Sequence, residues 1–326
     1  MIEDAELIES AKIPFELNVE SEDTDVLIVS DTGMDSRVWS ILNTAARSLD
    51  LEPTVTLMPA TDHPQAEPTE QVKQAMLASD ICVMVTSNAI VHSDAAVEVR
   101  ENGIPVIGME EITPEILNGG AASANYESFA ETGRKLRDKF VEGETISITT
   151  PSGTDLEADI KDRVGFSFAA KIEEQPGDNS MLGAAFPDGE VCISPNESTA
   201  NGTIVWDTSM HQIGSITEPI EAKIEDGFAT SIIGGQEAEL LRSILEDTND
   251  PNSYNLAEIA VGINTGADIT GLMRQDKKAE GYAHMALGSN DDTGGEIAAP
   301  IHIDGIAKNP TVKIDGEVIY DGKPVV

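Results

Sequence analysis

The chain has 326 residues, 40% of them hydrophobic, with 59 Asp+Glu against 20 Lys+Arg and a formal charge of −39. That length accommodates two domains with substantial cores, and the charge excludes partners that need a basic surface, namely nucleic acid and anionic membranes. The acidic residues are spread over every segment and not gathered in a tail, so the excess describes a folded protein's surface, not a disordered acidic region.

Such a surface resembles that of cytosolic proteins from salt-accumulating haloarchaea, where molar salt shortens the Debye length to ~3 Å and relieves self-repulsion. The expected location is a high-salt cytoplasm. The opening MIEDAELIES is acidic and unlike a signal peptide. No apolar run reaches the ~20 residues of a membrane span. Cys82 and Cys192 each sit in an apolar run, ICVMV and EVCISP, and are expected to be buried free thiols.

From Asp25 to about Phe140 short β-branched runs alternate with amphipathic stretches. DVLIV precedes a helical pattern from about Met34 to Leu49, PTVTLM leads to TEQVKQAMLAS, and DICVMVT leads to a helix from about Ser93 to Asn102, then IPVIG. Continuous apolar strands separated by helices predict a small doubly wound parallel α/β domain of about four strands, flavodoxin-like or Rossmann-like, over residues 1–142. The loop SDTGMDS after the first strand has one glycine and matches neither GxGxxG nor GxxxxGK[ST], so the domain reads as a scaffold and not a nucleotide site. His92, in SNAIVHSDAA, either supplies polarity before a helix capped by Ser93 or leans over a pocket at the strands' carboxyl ends.

Beyond KFVEGE the texture changes. TISITTPSGTDLEADI, GEVCISPNESTANGTIVWD, ITEPIEAKIEDGFATSIIGG and PTVKIDGEVIYDGKPVV each read as two strands joined by a turn. Residues 143–326 are therefore expected to form an antiparallel-rich α+β domain.

Five polar residues in this half sit where polar residues are costly. Glu190 directly precedes an apolar strand in FPDGEVCISP, and Glu258 lies between Ala257 and Ile259 in NLAEIAVGINTGA. A buried carboxylate calls for a cation or hydrogen bonds. His284 is set among small apolar residues in GYAHMALG, while His302 and Asp304 in PIHIDG are two apart, which puts both on one strand face. Two imidazoles and three carboxylates suit zinc, cobalt, manganese or iron(II) and not a thiolate site. Five ligands exceed what one catalytic ion needs, so two ions sharing a carboxylate is one reading. A two-His, one-Asp iron(II) oxygenase triad is the other.

The motifs FPDGEVCISP, NLAEIAVGINTGADITG, EGYAHMALGSN and PIHIDG, in that order, resemble those of the thermophilic metalloaminopeptidase family, that of aminopeptidases T and S (leucyl aminopeptidase type). The likeness spans about residues 25–323 and includes the family's 2,5-dihydroxypyridine 5,6-dioxygenase branch. It implies a homodimer. For the peptidase it implies Glu190 and His284 on one metal, His302 and Asp304 on the other, Glu258 bridging, and Glu190 or Glu258 in proton transfer. For the dioxygenase it implies iron(II) on two histidines and an aspartate; His302 and Asp304 match, but Tyr254-Asn255-Leu256 stands where the other histidine would be. The segment after His284, SNDDTGG, lacks the tyrosine the peptidase would place there. The leading expectation is a hydrolase that removes N-terminal residues from peptides through a metal-activated water. The alternatives are the dioxygenase, acting on a small heterocycle, and a catalytically silent metal-binding relative.

The charge makes a prediction of its own. Structure or assembly should be lost below about 0.5 M KCl, because self-repulsion there is no longer adequately screened. Thermal melts in dilute buffer and in about 3 M KCl check this; equal melting temperatures would refute it.

Overall fold

The computed structural model describes residues 4–63, 66–91, 93–173, 182–291 and 293–326. Two compact units emerge, Met1–Asn125 with Phe168–Asp188 and Tyr126–Ser167 with Gly189–Val326, whereas the sequence reading drew one boundary after residue 142. The architecture is mixed α/β, with a parallel sheet in the first unit and antiparallel sheets in the second.

In the first unit five strands pair in the order Thr54–Met58, Val26–Asp31, Ile81–Val85, Val106–Gly108, Gly183–Ala185, every pairing parallel. Val26–Asp31 and Ile81–Val85 are buried along their whole length, which is why they read as unbroken apolar runs. Helix Ser36–Ser48 is capped by the Asp35 carboxylate, which accepts from Arg37 N, and Ser93 caps Asp94–Glu101 through Ala96 N. Gly103 adopts φ +80° after that second helix, a conformation open to glycine, and the chain turns into the next strand. Buried Asp31, at the end of the first strand, accepts hydrogen bonds from Gly33 N, Met34 N and Ser87 N. The amides a phosphate would need in this loop are thus satisfied by the protein's own carboxylate.

Two features of this unit escaped the sequence reading. The fifth strand, Gly183–Ala185, is supplied from far along the chain. Helix Asp4–Asn18 precedes the first strand; its buried Leu7, Ala11 and Phe15 recur every four residues, a helical period that was open to inspection. His92 lies outside the described residues.

The second unit holds two antiparallel seven-stranded sheets. One runs Phe228–Ile233, Ile220–Glu225, Asn201–Trp206, Asp155–Asp159, Thr145–Thr149, Thr311–Ile314, Glu317–Asp321. The other runs Gly214–Ser215, Ser209–Met210, His302–Lys308, Tyr282–Gly288, Leu256–Gly262, Glu190–Ile193, Gly165–Phe168. Three of the four expected hairpins form: Thr145–Asp159, Ile220–Ile233 and Thr311–Asp321. The fourth does not. Glu190–Ile193 and Asn201–Trp206 join different sheets, because Glu190–Ile193 is buried throughout and pairs with the equally buried Leu256–Gly262. Both cysteines are free and buried. No described helix is long and apolar enough to cross a membrane.

Ile303 is fully buried and stands between His302 and Asp304 on a strand, so it faces the core while its neighbours face the other way. Ile303→Ala should cost about 2–5 kcal/mol and leave metal uptake by the folded fraction unchanged. A denaturant melt in molar KCl, paired with a metal count, checks both halves.

Candidate metal centre

The central strands of the second sheet bring the five predicted residues together. Antiparallel register sets Asp304 opposite Ala286 and Ala286 opposite Glu258. His284 faces Ala260, Glu190 faces Gly262, and His302 faces Gly288. With side chains alternating at period two, this register places Glu190, Glu258, His284, His302 and Asp304 on one face. Small residues stand between them, Ala260, Gly262, Ala286, Gly288 and the Cys192 thiol beside Glu258, so the space over the sheet is left to the polar groups. The irregularity between Leu256 and Glu258 lets Glu258 fall into this line.

The distances are short. His302 Nε2 lies 3.2 Å from Glu258 Oε2 and 3.2 Å from Asp304 Oδ1. His284 Nε2 lies 3.4 Å from Glu258 Oε1 and 3.6 Å from Glu190 Oε2. Ligand atoms of Glu258, His302 and Asp304 all fall within 4.8 Å of one another. His302 Nδ1 donates to the Ser289 carbonyl at 2.7 Å, which fixes the ring and turns Nε2 toward the carboxylates, the arrangement of a metal-ligating histidine.

Two lysines that the sequence reading did not single out belong to the site. Lys278 Nζ sits 2.6 Å from Glu190 Oε1, both side chains nearly inaccessible, and Lys277 Nζ sits 3.2 Å from Asp304 Oδ2. Their signal was compositional: an adjacent Lys-Lys pair in a chain so poor in lysine and arginine, in MRQDKKAEG. Gly262 is what admits them. A Cβ there would lie 2.1 Å from the Ala279 carbonyl oxygen, so its absence allows residues 278–280 to pass directly beside the strand. Asp276, fully buried, anchors the same segment by accepting from Ser209 Oγ, Thr270 N and Gly271 N.

Burial pushes Glu190, Glu258, Asp304 and His302 toward their neutral forms, and the neighbouring charges reverse it. Burial alone would raise the Glu190 carboxyl, but Lys277 and Lys278 hold it below the usual carboxylate range. Glu258 is likewise held down against burial by the imidazoles of His284 and His302 beside its two oxygens, and Asp304 by Lys277 and His302. His302 moves well above the usual imidazole range, because Asp304 and Glu258 outweigh its burial. A proton on Nε2 therefore stands where a divalent cation would be favoured by the same carboxylates.

The residues fit a metal. Buried Glu190 Oε2, Asp304 Oδ1 and both ring nitrogens of His284 have no hydrogen-bond partner among the described residues. Orphaned polar atoms of this kind are costly, and a cation taking the two carboxylate oxygens and one His284 nitrogen would satisfy all but the remaining ring N–H. The donor chemistry is that of Zn, Mn, Co or Fe(II).

Comparison with known proteins decides the family. The model of the family described as NicX, 2,5-dihydroxypyridine 5,6-dioxygenase, matches residues 6–326. The chain belongs to that family. It is 24% identical over 356 aligned residues to the 2,5-dihydroxypyridine 5,6-dioxygenase of Pseudomonas putida, covering 100% of this chain and 97% of that protein. Among solved structures, the 2,5-dihydroxypyridine dioxygenase from Pseudomonas putida KT2440 superposes with a TM-score of 0.81 at 22% identity, covering 100% of this chain and 99% of that one. Wild-type AmpT from Thermus thermophilus has a TM-score of 0.70 at 14% identity over 99% of both chains. The aminopeptidase expectation is corrected by these findings. What the chain has in common with AmpT is the fold; the family match and the curated relative both lie on the dioxygenase side. The segment near Tyr254 carries no histidine even in this member of the family. That segment is committed to structure: Asn255 is buried and its Nδ2 donates to the Gly288 carbonyl.

Replacing either His302 by Ala or Asp304 by Asn should abolish metal retention while the protein stays folded in molar KCl. His63→Ala, outside the site, should change neither. Metal analysis after dialysis, with circular dichroism on the same samples, reads both effects; retained metal in the His302 and Asp304 variants would place the ion elsewhere.

Proposed function

We propose that this protein is an iron(II)-dependent ring-cleaving dioxygenase acting on a hydroxylated N-heterocycle of the 2,5-dihydroxypyridine class. The observation that carries the reading is the buried Glu258–His302–Asp304 cluster with His284 beside it, in a chain of the 2,5-dihydroxypyridine 5,6-dioxygenase family. Glu258, His302 and Asp304 would hold the ion, and His284 would complete the set in place of the histidine absent near Tyr254. Iron(II) bound there would supply the redox chemistry that lets dioxygen react with an aromatic ring.

The chain's own residues do the rest. Ser289 holds the proton on His302 Nδ1 and so keeps Nε2 available. The Asn290 side chain, buried, accepts from Ile297 N and donates to Glu197, and Glu197 also takes Glu296 N and pairs with Arg163. That network fixes the loop that presents Ser289. Lys277 is more exposed than Lys278, at 22% against 2% of its side chain, and its cause for staying charged is the surrounding carboxylates, which overcome its burial. Its ammonium is placed to receive an ionised ring oxygen. The two-ion peptidase chemistry is not part of this proposal.

Protein loaded anaerobically with Fe²⁺ in molar KCl should consume oxygen when 2,5-dihydroxypyridine is added, with loss of the aromatic absorbance. Leu-, Met- and Ala-p-nitroanilide with Co²⁺ or Zn²⁺ should remain uncleaved. Absence of oxygen uptake by iron-loaded protein on 2,5-dihydroxypyridine and related hydroxypyridines would end the proposal.

A further inference from the structure

Three carboxylates and two ammonium groups meet at this site, Glu190 with Lys278, Asp304 with Lys277, and Glu258 with the imidazoles of His284 and His302. When an ion binds, the histidines must be neutral, and these five charged groups then leave one negative charge over. A single divalent ion turns that into one positive charge, which is tolerable beside a partly exposed Lys277. Two divalent ions would leave three positive charges in a buried pocket, where like charges repel strongly.

The two halves of the site also differ in geometry. Glu258, His302 and Asp304 present ligand atoms within 4.8 Å of one another. On the Glu190 side, one carboxylate oxygen is taken by Lys278 at 2.6 Å, and the other lies 3.6 Å from His284. Lys278 is not a loose surface side chain that an ion could displace. Its side chain is 2% exposed, its carbonyl accepts from Asn264 N at 2.8 Å and its amide donates to Gln275 O at 3.0 Å. The preceding residue but one, Asp276, is the buried anchor of the segment.

We propose that Lys278 occupies the role of a second metal ion: its ammonium neutralises Glu190 and withdraws it from the ligand set, so the centre takes one divalent ion, on the Glu258–His302–Asp304 side. Lys278 is thus a positioning residue that sets metal number and does not act on substrate. Lys277 complements it by occupying Asp304 Oδ2, which leaves Oδ1 for the ion. The inference rests on the metal-centre reading of the preceding subsection but not on its oxygen chemistry.

The test counts ions in the full chain. Wild type, Lys278→Met, and the charge-neutral double variant Lys278→Met/Glu190→Gln are equilibrated with Mn²⁺ in molar KCl. Bound metal per chain is measured by elemental analysis, and spin coupling between neighbouring Mn²⁺ ions by electron paramagnetic resonance. We expect one uncoupled ion in wild type, a second and coupled ion in Lys278→Met, and one again in the double variant. Two ions in wild type, or a single ion in folded Lys278→Met, would overturn the proposal. Should Lys278→Met not fold, the double variant decides: one ion retained supports the proposal, and none retained makes Glu190 a ligand and overturns it. No ion in any protein removes the metal-centre reading as well. One ion in wild type together with no oxygen uptake from the Fe²⁺-loaded protein strikes the dioxygenase reading alone.

Discussion

Three carboxylates share one buried sheet face, and the rest of the site is arranged around that fact. Two like charges about 4 Å apart repel by about 4 kcal/mol at an effective dielectric of 20. A few such repulsions rival the roughly 5–15 kcal/mol by which a domain is stable. Glu190, Glu258 and Asp304 therefore require fixed positive partners, and the chain supplies them from outside the strands that carry the acids. Lys278 and Lys277 answer two of the three. Glu258 has the imidazoles of His284 and His302 on its two oxygens, and that is the half of the site left to a cation.

Delivering those partners depends on backbone details far from any charge. The small residues between the ligands keep the face open, and glycine at position 262 lets the lysine-bearing segment lie against the strand. Buried Asp276 ties that segment to Ser209 on a strand of the same sheet and to the amides of Thr270 and Gly271. On the opposite side of the site, Arg163, Glu197 and Asn290 secure the loop whose Ser289 carbonyl orients His302. His302, Asp304 and Glu190 are thus each held by a second group, the kind of support that keeps a metal site's geometry when no ion is bound.

The fold by itself leaves the chemistry open. A fold with a TM-score of 0.70 to AmpT and 0.81 to a dihydroxypyridine dioxygenase does not itself choose between hydrolysis and oxygenation; the contents of the centre do. Here those contents are acids, imidazoles and two lysines gathered on one sheet face.

Much of this was legible in the residues. Unbroken β-branched runs between helical stretches announced the parallel sheet, and strict alternation around Asp226-Gly227 and Asp315-Gly316 announced hairpins, because period and turn chemistry are local properties. His302 and Asp304 could be assigned to one face for the same reason, and Glu258 to a buried one from its apolar neighbours. Other features depend on partners distant in sequence. Gly183–Ala185 carries no pattern that names Val106–Gly108 as its neighbour. Nothing in GEVCISPNESTANGTIVWD reveals that its two strands part into separate sheets. The lysines' partners depend on distance for that reason too: MRQDKKAEG shows an adjacent lysine pair, but only the register of Glu190 against Gly262 and the close passage of residues 278–280 put a carboxylate 2.6 Å from Lys278. Sequence alone determined which residues would be costly to bury; tertiary structure decided what neutralises them, since charge compensation acts through space and leaves no period along the chain.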